Sequence, residues 1–137
     1  PLKEIWTDYA KEIETVANTG LYDILGHPFN LRIFENIPEK QDVEDILENI
    51  AGLLKEKGMI VDINTGTYYR YPIKEITPYP DFMEKLRKYD IPIIISSDAH
   101  YPEHVGMYLK EAGEYAKSFG FDRIVLFDNR VRQFEKI

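Results

Sequence analysis

The sequence contains no cysteine. Disulfides and thiolate metal sites are therefore excluded, and any metal ion falls to histidine, aspartate, glutamate or water. Histidine is scarce as well: His27, His100 and His104 are the whole supply. No apolar run approaches the roughly 20 residues that a membrane span needs. The amino terminus lacks the charged-then-apolar pattern of a secretory signal, so a soluble, cytoplasmic protein without a membrane partner is expected. Positive charge is in deficit, since 17 Lys and Arg face 24 Asp and Glu for a formal net charge of −7. That balance argues against a broad electrostatic footprint for nucleic acid. An anionic substrate would need a local cationic site.

What is present is enough for a real core. The 137 residues are 44% hydrophobic and 13% aromatic, which suits one domain over 1–137. The stretch that organises the rest is Ile93-Ile-Ile-Ser-Ser-Asp-Ala-His100. After the breaker Pro92, its three isoleucines read as a short strand buried on both faces, the kind found in a parallel sheet. Asp98 and His100 are two apart, so a continuing extended backbone would put them on one side, about 7 Å from each other. A carboxylate and an imidazole at that spacing can share a divalent cation. For an isolated Asp-x-His, a helix-capping Asp98 and a surface His100 would be the better reading.

The remaining chain repeats one pattern. Pro1-Leu2-Lys3-Glu4 lacks an initiating Met and looks like a cut. Ile5, Tyr9, Ile13 and Val16 make a helical stripe that Asn18-Thr19-Gly20 terminates. Leu21 to Leu25 reads as a strand closed by Gly26-His27-Pro28. A second helix opens at Asp42 with Val43, Ile46, Leu47, Ile50, Leu53 and Leu54 on its apolar face, and Gly58 ends it. Met59 to Ile63 is the next strand, with Asn64-Thr65-Gly66-Thr67 beyond it. The Tyr- and Pro-rich segment from Tyr68 to Pro80 suits a long ordered loop. A short helix presents Phe82, Leu86 and Tyr89 inward and leads to Ile93; another starts at Pro102 and stops at Gly120. Arg123 to Phe127 reads as a last strand, and Asp128 to Ile137 as a polar, basic tail.

The order αβαβαβαβ calls for an α/β fold, with a parallel sheet and helices outside it. In such folds the site lies beyond the carboxyl ends of the strands. His27 ends the first strand, Asp62 and Asn64 the second, Asp98 and His100 the third. Three strands delivering imidazole and carboxylate to one rim form a constellation, harder to obtain by accident than any one member. Asp62 reads as a buried acid that orients a neighbour, on the same face as Asn64. Arg32 and Arg70 stand in loops on the same rim, where two guanidiniums could converge on a phosphate. Either arginine alone would read as a solvated loop residue. His104 reads as exposed, and the loop tyrosines as packing, with Tyr68 or Tyr69 able to wall a pocket.

Gly26-His27-Pro28, Val61-Asp-Ile-Asn-Thr65 and Ser96-Ser-Asp-Ala-His-Tyr-Pro-Glu-His-Val-Gly106, in that order and spacing, resemble the carboxy-terminal half of the polymerase-and-histidinol-phosphatase superfamily. The resemblance runs from about Leu2 to Arg130 and is closest to the histidinol-phosphatase branch. It implies part of a distorted seven-stranded β/α barrel whose carboxyl rim holds divalent metals (Zn, Mn or Fe) and hydrolyses phosphate monoesters. By position it implies His27, Asp98 and His100 as metal ligands, Asp98 and His100 as catalytic residues, and Arg32, Arg70 and Asn64 as binders of a small phosphorylated substrate.

The family also has an amino-terminal His-x-His motif and further His and Glu ligands, which this sequence lacks, and a Glu where Asp62 stands. The chain is therefore expected to be the back half of an enzyme, weak in metal binding and in activity by itself. An exposed apolar edge is expected at Leu21, inviting self-association or pairing with the absent amino-terminal half. The alternatives are a phosphoesterase of other specificity and a metal-free binding or scaffold domain that keeps the fold.

Overall fold

A computed structural model describes residues 2–137; the opening at Pro1 lies outside the described residues. The chain begins with helix α1 (Leu2–Thr19), followed by the two-residue strand β1 (Ile24–Leu25) and a 3-10 turn over Asn30–Phe34. Helix α2 (Lys40–Lys57) leads into β2 (Ile60–Asn64) and the short helix α3 (Gly66–Arg70). Helix α4 (Pro80–Lys88) precedes β3 (Ile93–Ser96), then a turn at Pro102–His104 and helix α5 (Leu109–Ser118). Strands β4 (Arg123–Asp128) and β5 (Val131–Lys136) close the chain.

Strands β1, β2 and β3 form a parallel sheet in that order, with Ile24 opposite Ile60 and Val61 opposite Ile93. Because side chains alternate along a strand, this register sorts residues onto two faces. Val61, Ile63 and Ile93 join the helix side chains in the main core, while Asp62, Asn64 and Ser96 share the opposite face. The expected strand Leu21–Leu25 shrinks to its last two residues, and β3 is fully buried only at Ile93.

The fourth strand corrects the expected topology. β4 does not enter the parallel ladder; it pairs antiparallel with β5, and the segment read as a basic tail is that partner strand. The turn explains the pairing: Asn129 and Arg130 both have positive φ, 50° and 69°, the backbone of a two-residue hairpin turn whose twist matches that of the strands. What stands is a mixed α/β chain with a three-stranded parallel sheet.

Helix α1 is turned relative to the expected stripe. Trp6, Ala10, Ile13 and Ala17 are buried, whereas Ile5 and Val16 are exposed. The indole decides the rotation. It stacks on Phe29 at 5.2 Å, and its N–H donates to the Asn36 carbonyl at 3.0 Å. An aromatic body with a polar tip that finds an acceptor outweighs two branched aliphatics. Helix α2 ends as expected, with Gly58 left-handed at φ 64° and its N–H directed at the Leu54 and Lys55 carbonyls. Among the described residues no helix is long and apolar enough to cross a membrane.

Candidate functional site

The loop after β1 is anchored by the two residues beyond His27. Pro28 and Phe29 are buried, and Phe29 wedges between Trp6 and Phe82 while its N–H donates to the Tyr9 hydroxyl at 3.0 Å. His27 is left exposed at φ 30° beside the carboxyl end of the sheet. The next strand delivers Asp62, 7% exposed, and Asn64, 2% exposed. The Asn64 amide donates to Asp62 Oδ2 at 2.9 Å and to the Ser96 hydroxyl at 3.4 Å, and its Oδ1 accepts the Gly66 N–H at 2.8 Å. Its polar atoms are thus engaged in joining β2, β3 and α3.

Asp62 is the buried acid of the rim. Loss of water around it pushes its carboxyl above the usual carboxylate range, although Asn64, Ser96 and His27 pull in the other direction. Its Oδ1 is buried without a hydrogen-bond partner among the described residues.

At the end of β3 the backbone does not stay extended. Asp98 is left-handed at φ 49°, so the alternation that would have put Asp98 and His100 on one side is broken there. Arg70 brings the two together instead. Its guanidinium donates to the Asp98 carboxylate and carbonyl and touches His100 Nδ1. His100 Nδ1 also lies 2.8 Å from the Asp98 carbonyl. A carbonyl asks for a proton on that nitrogen and a guanidinium asks for a lone pair, so the two contacts compete.

Gly66 makes room for this pair. A Cβ on it would fall 2.7 Å from both Arg70 Nη2 and Asp98 Oδ2. Sequence reading missed Gly66; its only signal is a small residue directly after a polar strand end.

Arg32 has a carboxylate of its own. Glu75 takes it bidentately at 3.0 and 2.6 Å, and the guanidinium lies 4.3 Å from the Tyr79 ring centroid. Glu75 was also missed, being 43 residues away in sequence. The Thr67 hydroxyl reaches Asn30 at 3.4 Å, so the loop of Arg32 adjoins the helix of Arg70. His104 is half-buried rather than exposed, packed between the rings of Tyr69 and Tyr101 at 4.9 and 5.3 Å. Tyr69 fastens the loop by donating to the Ser97 carbonyl at 2.7 Å.

Among the described residues no three His, Asp or Glu side chains gather as a cation site. Asp98 and His100 already face a guanidinium, and Asp62 Oδ1 is the rim oxygen left without a partner. As arranged, the donors of this chain alone do not fit a bound divalent metal. Chemically, the rim offers two arginines held by carboxylates and a buried acid beside a histidine.

No family model matches the chain. It is similar to a protein of Deinococcus radiodurans named as a probable histidinol-phosphatase, with 31% identity over 130 residues. The match takes in 94% of this chain and 48% of that protein, so the chain spans about half the length of the curated relative it matches.

Proposed function

We propose that this chain is the carboxy-terminal portion of a phosphatase of the histidinol-phosphatase type, cytoplasmic, acting on a small phosphorylated substrate. The observation that carries the reading is the 31% identity along 94% of the chain, with His27, Asp62, Asp98 and His100 at one end of a parallel sheet. On this reading the three strands are an arc of a β/α barrel.

The divalent metals that the resemblance implies would supply Lewis acidity and an acidified water. The donors present do not close on a cation, so His27, Asp98 and His100 are proposed as a partial ligand set to be completed by residues outside this chain. Asp98 and His100 keep their proposed catalytic roles, and Asn64 its place near the substrate. Arg32 and Arg70 are proposed to hold the phosphoryl group. Arg70 cannot pair with Asp98 and grip a phosphate with the same donors. A shift of its guanidinium from Asp98 to the substrate is therefore part of the reading.

The test is elemental metal analysis with turnover of p-nitrophenyl phosphate and histidinol phosphate, on this chain and on one extended upstream. The extended chain is expected to bind metal and hydrolyse, and this chain to do little of either. Full activity of the 137-residue chain would sink the half-site reading. The Arg70 contacts also favour a second reading, a metal-free binding domain in which the guanidinium permanently neutralises Asp98. Absence of metal from both chains would leave that one standing.

A further inference from the structure

A cavity of about 590 Å³ opens beside Gly58, Pro92 and Ile93, at the amino ends of β2 and β3 and so at the pole opposite the rim. Its volume is that of a small-molecule site. Four cations line it: Lys55 in the last turn of α2, Arg87 in the last turn of α4, Arg123 on β4 and Arg132 on β5. For a chain of formal charge −7 this is a pronounced local reversal.

Two acids, Asp90 and Asp122, also line the cavity, and Asp23 stands beside its Arg132, so the local balance remains positive by one charge. Asp90 is already engaged: its carboxylate accepts from Arg87 at 3.1 Å and its carbonyl from Lys55 at 3.4 Å. Arg132 donates to the Gly58 carbonyl at 2.8 Å and stands 3.6 Å from Asp23. Arg123 makes no ion pair among the described residues; its guanidinium sits 4.7 Å from the Phe134 ring centroid, as that of Arg87 sits 5.9 Å from Phe121. An arginine over a ring is supported on one face and keeps N–H donors along its edge, the posture that takes a phosphate bidentately.

We infer that this cavity is a second anion site, for a small phosphorylated molecule whose dianion meets Arg87, Arg123 and Arg132 and whose apolar body rests on Phe121 and Phe134. Three guanidiniums facing one space suit the several oxygens of a phosphate dianion better than a monocarboxylate. The placement also gives the site a consequence. β4 and β5 are not hydrogen-bonded to the parallel sheet, so a ligand touching both would tie the hairpin to the ends of α2 and α4 and stabilise the fold by linkage.

Phenyl phosphate serves as the probe, with benzoate as the monoanion control, and binding is monitored through the backbone amide resonances of this chain. Saturable shifts are expected at Arg87, Phe121 and Arg123, with benzoate weaker by about tenfold. Arg123→Gln and Arg87→Gln should each weaken phenyl phosphate by about tenfold, whereas Lys11→Gln, which removes an exposed charge on α1 away from the cavity, should change it less than about twofold. Arg123 is exposed, and an unaltered β4–β5 amide pattern would show that Arg123→Gln keeps the hairpin. Should that pattern be lost, Arg87→Gln alone decides. Shifts confined to the surroundings of Arg32 and Arg70, shifts that never saturate, or binding by both arginine variants as tight as that of the parent chain would overturn the site.

Discussion

Asp62 combines three facts that belong together: a carboxylate 7% exposed, one oxygen without a partner, and a carboxyl pushed upward by burial. Such a group binds its proton more tightly folded than unfolded. Its contribution to stability is whole below the ordinary carboxylate range and is lost as pH rises through the raised value. Asp62→Asn keeps an oxygen for the Asn64 amide and removes the charge. It is expected to stabilise the chain by about 1 kcal/mol at pH 7, with the gap closing as pH falls to the carboxylate range, measured by urea unfolding at both pH values. Equal destabilisation at every pH would show the ionised carboxylate to be compensated. Burial of this acid was legible from a strand of apolar residues interrupted by one carboxylate. The arginine partners were not, because nothing local in the sequence says that Arg32 meets Glu75 or that Arg70 meets Asp98. Those pairings arise from loops folded over the rim, 43 and 28 residues apart.

Helices α1, α2 and α4 and the three parallel strands can be traced to apolar periodicity and to breakers such as Gly20, Gly58 and Pro92. The hairpin cannot, and its turn shows why. Asn129 is at home at φ 50°, but Arg130 occupies φ 69°, where a side chain costs about 1–2 kcal/mol and glycine is the usual occupant. An Asn-Arg pair carries no strong turn signal, and β5, exposed along its whole length, has no apolar alternation to betray it. Arg130→Gly should relieve that strain and stabilise the hairpin by about 1 kcal/mol after the entropy cost of glycine. The measurement is amide hydrogen exchange of β4 and β5, with slower exchange expected in the variant. Faster exchange would mean that Arg130 makes a contribution that outweighs its backbone strain.

At the scale of the molecule, the parallel sheet has two outer strands whose far edges enter no ladder among the described residues. On the β1 side the approach is apolar and open: Leu21 is 78% and Tyr22 57% exposed. An unpaired strand edge flanked by apolar side chains is a template for another chain. The proposal that the chain pairs with an amino-terminal half, or with itself when that half is absent, places the contact here. Sedimentation of the purified chain is then expected to show association that grows with concentration. Leu21→Lys with Tyr22→Lys should weaken it by about tenfold, because two like charges at the edge oppose both apolar contact and strand pairing. A chain that remains monomeric up to about millimolar concentration, the range where weak interfaces of a few kcal/mol still show, would remove β1 as the seam. On the proposed reading the partner would then dock along β3, where β4 runs nearby without entering its ladder.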